Sequence, residues 1–586
     1  MPNMQPVPAP PTKKRWVLSS AISPLAQSLA SELSIPFVTA QILVQRGIQS
    51  AKDAEAFLKP DLKNLHDPKL LPDYDKAVRA ILGAKERGET IFIHGDYDVD
   101  GVTSASLFTR FLRSVGCRVV THVPHRLKEG YGIHESAVQA ASEAGAKLFL
   151  TCDCGISAHD QVKQANEAGM TVVVTDHHTV GAEIPDAAAV VNPHRSDSQY
   201  PFAELCGAGV AFKLCDGLTR ELGHNPSHFY RAFLDLAALG TIADVMPLVD
   251  ENRIIAKYGL ERLAKTKKVG LVELMKVAGI DPSSGKPLRS YHVGFTLGPR
   301  LNAAGRLDDA AMSLDLLLES DPDKAREIAQ EIDQINNERK AEQERIYQEA
   351  VQKVLAEGKA DKNVIIVADE GWHSGVIGIV AGKLVEFFRR PCFVAAVDPE
   401  TGKMKGSARS IPGFNLADAI RSHGDLISGG GHAMAAGFSG DLESIDILNA
   451  TMHEYAGKFL TEEDFLPQVR IDAEVAPESV TLAMAESLSM LEPFGMGNPE
   501  PVLLVRNVQF AQILPTKNPS IVRLVIKHNG GTSNGVMFSG GETMLGWDRS
   551  RSVDVVFQAM IDEFNGNRGL KWNVRDFAEA ESTCLS

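Results

Sequence analysis

The stretch IFIHGDYDVDG, residues 91–101, sets the reading of the whole chain. Ile91, Phe92 and Ile93 form a short continuous apolar run, the pattern of a strand buried on both faces. The run stops abruptly at His94, and Asp96, Asp98 and Asp100 follow at every second position. An extended backbone would point all four side chains to one side. Residues 104–115 then read as a helix and Arg118, Val119 and Val120 as the next strand. Lys147 to Leu150 and Thr171 to Val174 repeat the scheme, each after an alanine-rich helical stretch. Strands alternating with helices imply a parallel sheet covered on both faces. Ligands of such sheets bind beyond the carboxyl ends of the strands.

Three further segments are expected to end strands in acid or histidine: TCDCG (151–155), TDHH (175–178) and GTIADVMPL (240–248). With HGDYDVDG they offer more oxygen and imidazole ligands than one metal ion uses. That is the composition of a two-metal hydrolytic centre. Clustered carboxylates left without cations cost several kcal/mol each through desolvation, so their grouping at strand ends points to bound metal. Asp153 follows an apolar strand, and neighbouring histidines such as His177 and His178 seldom serve packing. Asp244 stands among Ile242, Ala243, Val245 and Met246, where a carboxylate must be paired or metal-bound.

At 586 residues the chain is too long for one core, and two to four domains are expected. The formal net charge of −15 argues against a protein that coats DNA through bulk charge, though not against a local basic groove. Seven scattered cysteines suit a reducing compartment, and Cys152 and Cys154 read as small buried residues. Residues 1–15 read as a proline-rich disordered tail with no signal peptide after it, and no apolar stretch is long enough for a bilayer. A cytoplasmic location is expected. Residues 16–75 read as short helices, and 205–280 as mostly helical. Residues 321–358 read as one connecting helix, polar nearly all round. A second α/β domain spans 359–462, from VIIVA (364–368) through HSGVIGIVAGKL to GGGHAMAAGF. Short strands from 463 to 580 suggest an OB-type barrel.

The set HGDYDVDG, CDCG, DHH and GTIADVMPL resembles the DHH phosphoesterase superfamily. GPRLNAAGRL, HSGVIGIVAGKL, GGGHAMAAGF and LEPFGMGNPEP narrow the resemblance to the RecJ family of single-strand-specific exonucleases. It implies a fold of two α/β domains, a DHH domain over 76–320 and a DHHA1-like one, joined by the long helix and followed by the barrel. It also implies a 5′-to-3′ exonuclease of single-stranded DNA using two ions of Mn²⁺ or Mg²⁺, in recombination and repair. By motif, His94, Asp98 and Asp153 would hold one ion, and Asp100, Asp153, His177 and Asp244 the other. Asp96 and His178 would act as catalytic residues beside them, orienting ligands or the scissile phosphate. Arg126, Arg300, Asn302, Arg306, Ser374, Arg409, Gly430, Gly431 and His432 would bind substrate. Phe510, Phe538, Trp547 and Trp572 are candidate base-stacking residues of the barrel. Single-strand binding protein and repair helicases are the implied partners, with no membrane and a monomeric enzyme. Two alternatives remain: a phosphodiesterase of short oligonucleotides or cyclic dinucleotides, and a non-catalytic DNA-binding replication subunit.

Overall fold

A computed structural model describes residues 14–19, 23–125, 129–307, 309–529, 531–564 and 567–580. The proline-rich start, residues 1–13, lies outside them. The chain divides into two compact units, one of residues 17–333 with 470–586 and one built on 334–469.

The first unit is centred on five parallel strands: β1 (Thr90–Gly95), β2 (Arg118–His122), β3 (Ala146–Cys152), β4 (Thr171–Thr175) and β5 (Ala189–Val191). Their spatial order is β2-β1-β3-β4-β5. The two-residue period of a strand divides the apolar runs between two cores. Ile91, Ile93, Leu148 and Leu150 enter one, and Phe92, Phe149, Val172 and Val174 the other. Burial on both faces is what the unbroken runs require.

Beyond β1 the structure corrects the extended reading of residues 94–100. The strand ends at Gly95, and helix α1 (Val99–Ser114) begins four residues later. The Asp98 side chain accepts the Gly101 N–H at 3.1 Å, capping the helix and turning the chain out of the sheet. A Cβ at Gly101 would stand 2.3 Å from the Asp96 carbonyl oxygen, so only glycine permits this tight turn.

Helices α2 (Gly207–Glu221), α3 (Pro226–Ala243) and α4 (Asp250–Leu263) confirm the helical reading of 205–280. They correct GTIADVMPL, whose first four residues finish α3 rather than a strand. Leu236 to Ile242 are buried all round, and a helix without a polar face has no period to separate it from a buried strand. The N-terminal segment forms helices Pro24–Leu33, Phe37–Gln45 and Ala51–Leu58, as expected. Arg253 of α4 ties it down. This buried guanidinium donates to the carbonyls of Phe57, Met490, Leu491 and Glu492 and lies 3.9 Å from the Phe57 ring centroid. Helix α5 (Gly298–Leu307) follows a π-helical turn, Val293–Leu297.

The connecting helix, α6 (Pro322–Ala356), runs as expected but is not polar all round. Ala325, Ala329 and Ile332 join the core of the first unit, and Ile346, Ala350, Val351 and Val354 are buried farther along. The second unit carries β6 (Ile365–Asp369), β7 (Cys392–Val397), β8 (Lys403–Arg409), β9 (Ile427–Gly431) and β10 (Ala435–Asp441) in the order β9-β10-β8-β7-β6. Only β6 and β7 are parallel. Helix α7 (Ile377–Phe388) packs on β7 and β8.

In the first unit the C-terminal strands β11 (Leu503–Pro515), β12 (Val522–His528), β13 (Gly531–Met537), β14 (Val553–Phe564) and β15 (Asn567–Glu579) close into a five-stranded barrel through β11–β14 pairing. Phe510 and Trp572 fill its interior, Trp572 stacked 4.1 Å from Phe557. Neither can therefore stack a base. Trp547 is half-buried against the edge of Phe577, and Phe538 is exposed.

Candidate metal centre

The strand ends and helix ends of the first unit bring seven side chains to one crevice. Three groups each offer ligand atoms within 4.8 Å of one another: Asp96, Asp98 and Asp153; Asp100, His177 and Asp244; and Asp153, His177 and His178. His177 Nε2 lies 3.1 Å from Asp153 Oδ1, 3.7 Å from Asp244 Oδ2 and 3.8 Å from Asp100 Oδ2. Asp153 belongs to two groups and stands between them.

Local backbone explains each placement. Asp153 follows β3 with φ +63°, and Val245, just after Asp244, has φ +58°. Both are left-handed and unfavourable for residues with a Cβ. Asp100 lies in the first turn of α1 and accepts the N–H groups of Gly207 and Ala208 at 2.6 and 2.8 Å. Those amides open α2, where the helix dipole favours an anion. A Cβ on Gly207 would stand 2.5 Å from Asp153 Cβ, and one on Gly240 2.6 Å from Asp100 Oδ1. Two helices thus approach the carboxylates as closely as glycine allows.

Asp176 organises the histidines. It is buried, accepts the backbone N–H of His177 at 2.7 Å and of His178 at 3.1 Å, and its Oδ1 lies 2.8 Å from His178 Nδ1. Burial works against charge on His178, yet this hydrogen bond and the Asp176 charge lift its pKa to about 9. His177, by contrast, is pushed down by burial. A neutral imidazole is the metal-binding form.

Burial, then the neighbouring Asp100 and Asp98, hold the Asp153 carboxyl well above the usual carboxylate range. Asp244 is raised by the same causes to about 8, and Asp98 is raised by burial and Asp100. No lysine or arginine of the described residues pairs with Asp98, Asp100, Asp153 or Asp244. Asp153 Oδ1 is buried and accepts no hydrogen bond although His177 Nε2 is near. Carboxylates that converge without a cationic side chain of the described residues fit a shared cation, and the carboxylate–imidazole mixture suits Mn²⁺ or Mg²⁺.

His94 stands outside the three groups. Its ring stacks between His122 and Phe149, with Nδ1 3.1 Å from His122 Nδ1 and Nε2 3.2 Å from the Gly132 carbonyl. Asp96 and His178, expected beside the ligands, each lie within one of the three groups, and the raised pKa of His178 keeps it a donor rather than a ligand. Arg300 is engaged with Asp333 at 2.8 Å and with the Thr296 carbonyl. Asn302 Oδ1 accepts the Val99 N–H at 3.1 Å, fixing the start of α1. Arg306 lies half-buried near the end of α5, and Arg126 lies outside the described residues. In the second unit, exposed Ser374 lines a cavity of about 840 Å³ with Lys403, Lys405 and Ser428. Arg409 donates to Ser407 Oγ. Gly430 and Gly431 end β9, and His432 begins the turn to β10 with its N–H on the Ala435 carbonyl. Of the glycines there, Gly429 and Gly431 press against β10, while a Cβ on Gly430 would meet nothing within 4 Å.

Sequence reasoning marked Asp176 with its two histidines but gave it no separate role, and it gave none to Gly207, Ala208 or Tyr131. Tyr131 is exposed, and its hydroxyl lies 3.0 Å from His178 Nδ1. The aspartate of TDHH and the glycines of GAGVAF were the available signals; the tyrosine carried none.

Comparison with known proteins agrees with this architecture. The DHH family, N-terminal domain, matches residues 90–241, the DHHA1 domain 361–458 and the RecJ OB domain 471–576. The single-stranded-DNA-specific exonuclease RecJ of Bacillus subtilis is 40 % identical over 97 % of this chain and 71 % of its own. That of Escherichia coli is 33 % identical over 92 % and 95 %. The crystal structure of RecJ in complex with Mn²⁺ from Thermus thermophilus superposes with TM-score 0.82 at 29 % identity, covering 97 % of this chain and 80 % of that one. The chain belongs to the RecJ family of single-stranded-DNA-specific exonucleases.

Proposed function

We propose that this chain is a metal-dependent exonuclease that hydrolyses single-stranded DNA from its 5′ end, one nucleotide at a time. The observation that carries the reading is the convergence of Asp96, Asp98, Asp100, Asp153, His177, His178 and Asp244, with no lysine or arginine of the described residues on the four carboxylates at its heart. Two divalent ions, Mn²⁺ or Mg²⁺, would supply an activated water and a clamp on the scissile phosphate. In this reading Asp153 is the shared ligand. Asp98 sits on one side of it, with Asp96 orienting or ligating. Asp100, His177 and Asp244 sit on the other. His94, whose ring nitrogens lie against His122 and the Gly132 carbonyl, would be a further ligand of the first ion by its motif. His178, charged through Asp176, offers a ring N–H to a phosphate oxygen.

Arg126, Arg300, Asn302 and Arg306 would serve the strand from the first unit. Ser374, Arg409, Gly430, Gly431 and His432 are the substrate-binding candidates of the second unit. Single-strand binding protein and repair helicases are the partners this activity would meet in a cytoplasmic enzyme of recombination and repair, acting as a monomer. The test is release of mononucleotides from a 5′-labelled single strand against a duplex of the same sequence, with and without Mn²⁺. Mn²⁺-dependent release confined to the single strand supports the reading. Equal attack on the duplex, or release that survives chelation, overturns it.

A further inference from the structure

Two rings of the first unit face solvent where core packing does not explain them. Phe295 is 74 % and Tyr291 64 % exposed, the highest values among the exposed large apolar side chains of the described residues. Their centroids are 5.2 Å apart with planes inclined by 22°, so they present one stacked aromatic surface. Tyr291 lies in the turn Ser290–His292 and Phe295 in the π-helical turn Val293–Leu297. Such turns re-aim side chains and recur at functional sites.

Their position gives the surface a direction. They precede α5, which touches both arms of the metal centre. A Cβ on Gly298 would lie 3.5 Å from Ala243 Cβ, beside Asp244, and one on Gly305 2.8 Å from the Tyr97 carbonyl, beside Asp96 and Asp98. On its other side Tyr291 lines a cavity of about 760 Å³ with Lys257, Lys286, Arg289 and Phe494, where Glu261, Glu492 and Glu500 also stand and Arg289 lies 3.6 Å from Glu492. Arg289 and Phe494 also line a smaller cavity against Ala559, Met560 and Ile561 of barrel strand β14. Exposed rings, then a cavity of mixed charge, then barrel follow one another within a single compact unit.

We propose that Tyr291 and Phe295 form a base-stacking platform for the single strand between the metal centre and the barrel. The proposal rests on the nuclease reading above and names a positioning element for it. Every unpaired base has a free π-face, so stacking holds a strand without regard to sequence, while lysine and arginine beside it meet the phosphates. A duplex keeps its base faces covered, so the platform favours unpaired substrate. A second copy of the chain is the poorer occupant, because stable protein interfaces bury about 1,200–2,000 Å² and two rings present far less.

The test uses the full chain in an Asp153→Ala background, which separates binding from cleavage, and a single strand carrying 2-aminopurine near its 5′ end. Stacking quenches that base. We expect the Tyr291→Ala/Phe295→Ala double variant to abolish the quench and weaken binding about tenfold. Phe295→Trp should restore both, and Phe295→Leu should not. In the otherwise wild-type enzyme the same double variant should raise KM for a long strand about tenfold and spare kcat. A quench that survives loss of both rings, or Phe295→Leu binding like wild type, overturns the platform. If wild type cleaves no strand yet the quench depends on the rings, the nuclease reading fails and the platform stands. If wild type cleaves the strand and the rings give no quench, the platform fails and the nuclease reading stands.

Discussion

At the residue scale, the proposed two-metal centre turns on Asp153. This aspartate belongs to two of the three ligand groups, so Asp153→Ala should remove a ligand from each of those two. Hydrolysis of single-stranded DNA should fall by at least about three orders of magnitude, equivalent to roughly 4 kcal/mol of lost transition-state stabilisation. Steady-state rates at saturating Mn²⁺ measure this, and substantial residual activity contradicts the assignment. Gly207→Ala probes the scaffold instead. The added methyl would stand 2.5 Å from Asp153 Cβ and 2.9 Å from Asp100 Oδ2. Overpacking of this kind costs about 1–3 kcal/mol, and here it also shifts two ligands. Denaturant titration and Mn²⁺ titration of the variant should both register the loss. That these acids converge was legible in the sequence, because clustered acids at strand ends have few other uses. The geometry was not. Spacing by two suggested one extended face, whereas Asp98 caps a helix and Asp100 rides in its first turn. Hydrogen bonding by one side chain overrode the strand period.

At the element scale, helix termini rather than loops alone shape the crevice. The start of α2 holds Asp100, the end of α3 presents Asp244, and Asn302 of α5 fixes the start of α1. Helix α3 was half-legible, since a helix buried all round shows no period. Four strands of the parallel sheet were legible from their repeated pattern, whereas the three-residue edge strand Ala189–Val191 was too short to show one. Arg253 was not, because four carbonyl acceptors from two distant segments leave no local mark. Its burial lowers its pKa to about 9, so the charge is held by those carbonyls and the Phe57 ring. Arg253→Ala should strip all four of their donor and lower unfolding stability by about 3 kcal/mol or more. Chemical denaturation checks this, and a change below about 1 kcal/mol would show that the tie is dispensable. In the barrel, Phe538→Ala should weaken long-strand binding by up to about tenfold, as loss of one exposed stacking ring would. Trp572→Ala should instead unfold the barrel, since that ring is buried.

At the scale of the whole molecule, a chain of net charge −15 gathers part of its negative charge in one buried cluster. Metal should therefore stabilise the fold as well as enable the reaction. At Mn²⁺ about a hundredfold above its dissociation constant, linkage gives about 2.7 kcal/mol per site. Thermal unfolding with and without Mn²⁺ should show a higher Tm with metal, and Asp153→Ala should abolish most of the difference. The most direct test of the two-metal centre is the number of Mn²⁺ ions bound per chain at saturation, measured on wild type and Asp153→Ala by calorimetry and metal analysis. We expect two ions on wild type and a weakening of both on the variant, because one carboxylate is shared. A single ion on wild type, or one site left at full affinity in the variant, would contradict a shared two-metal centre.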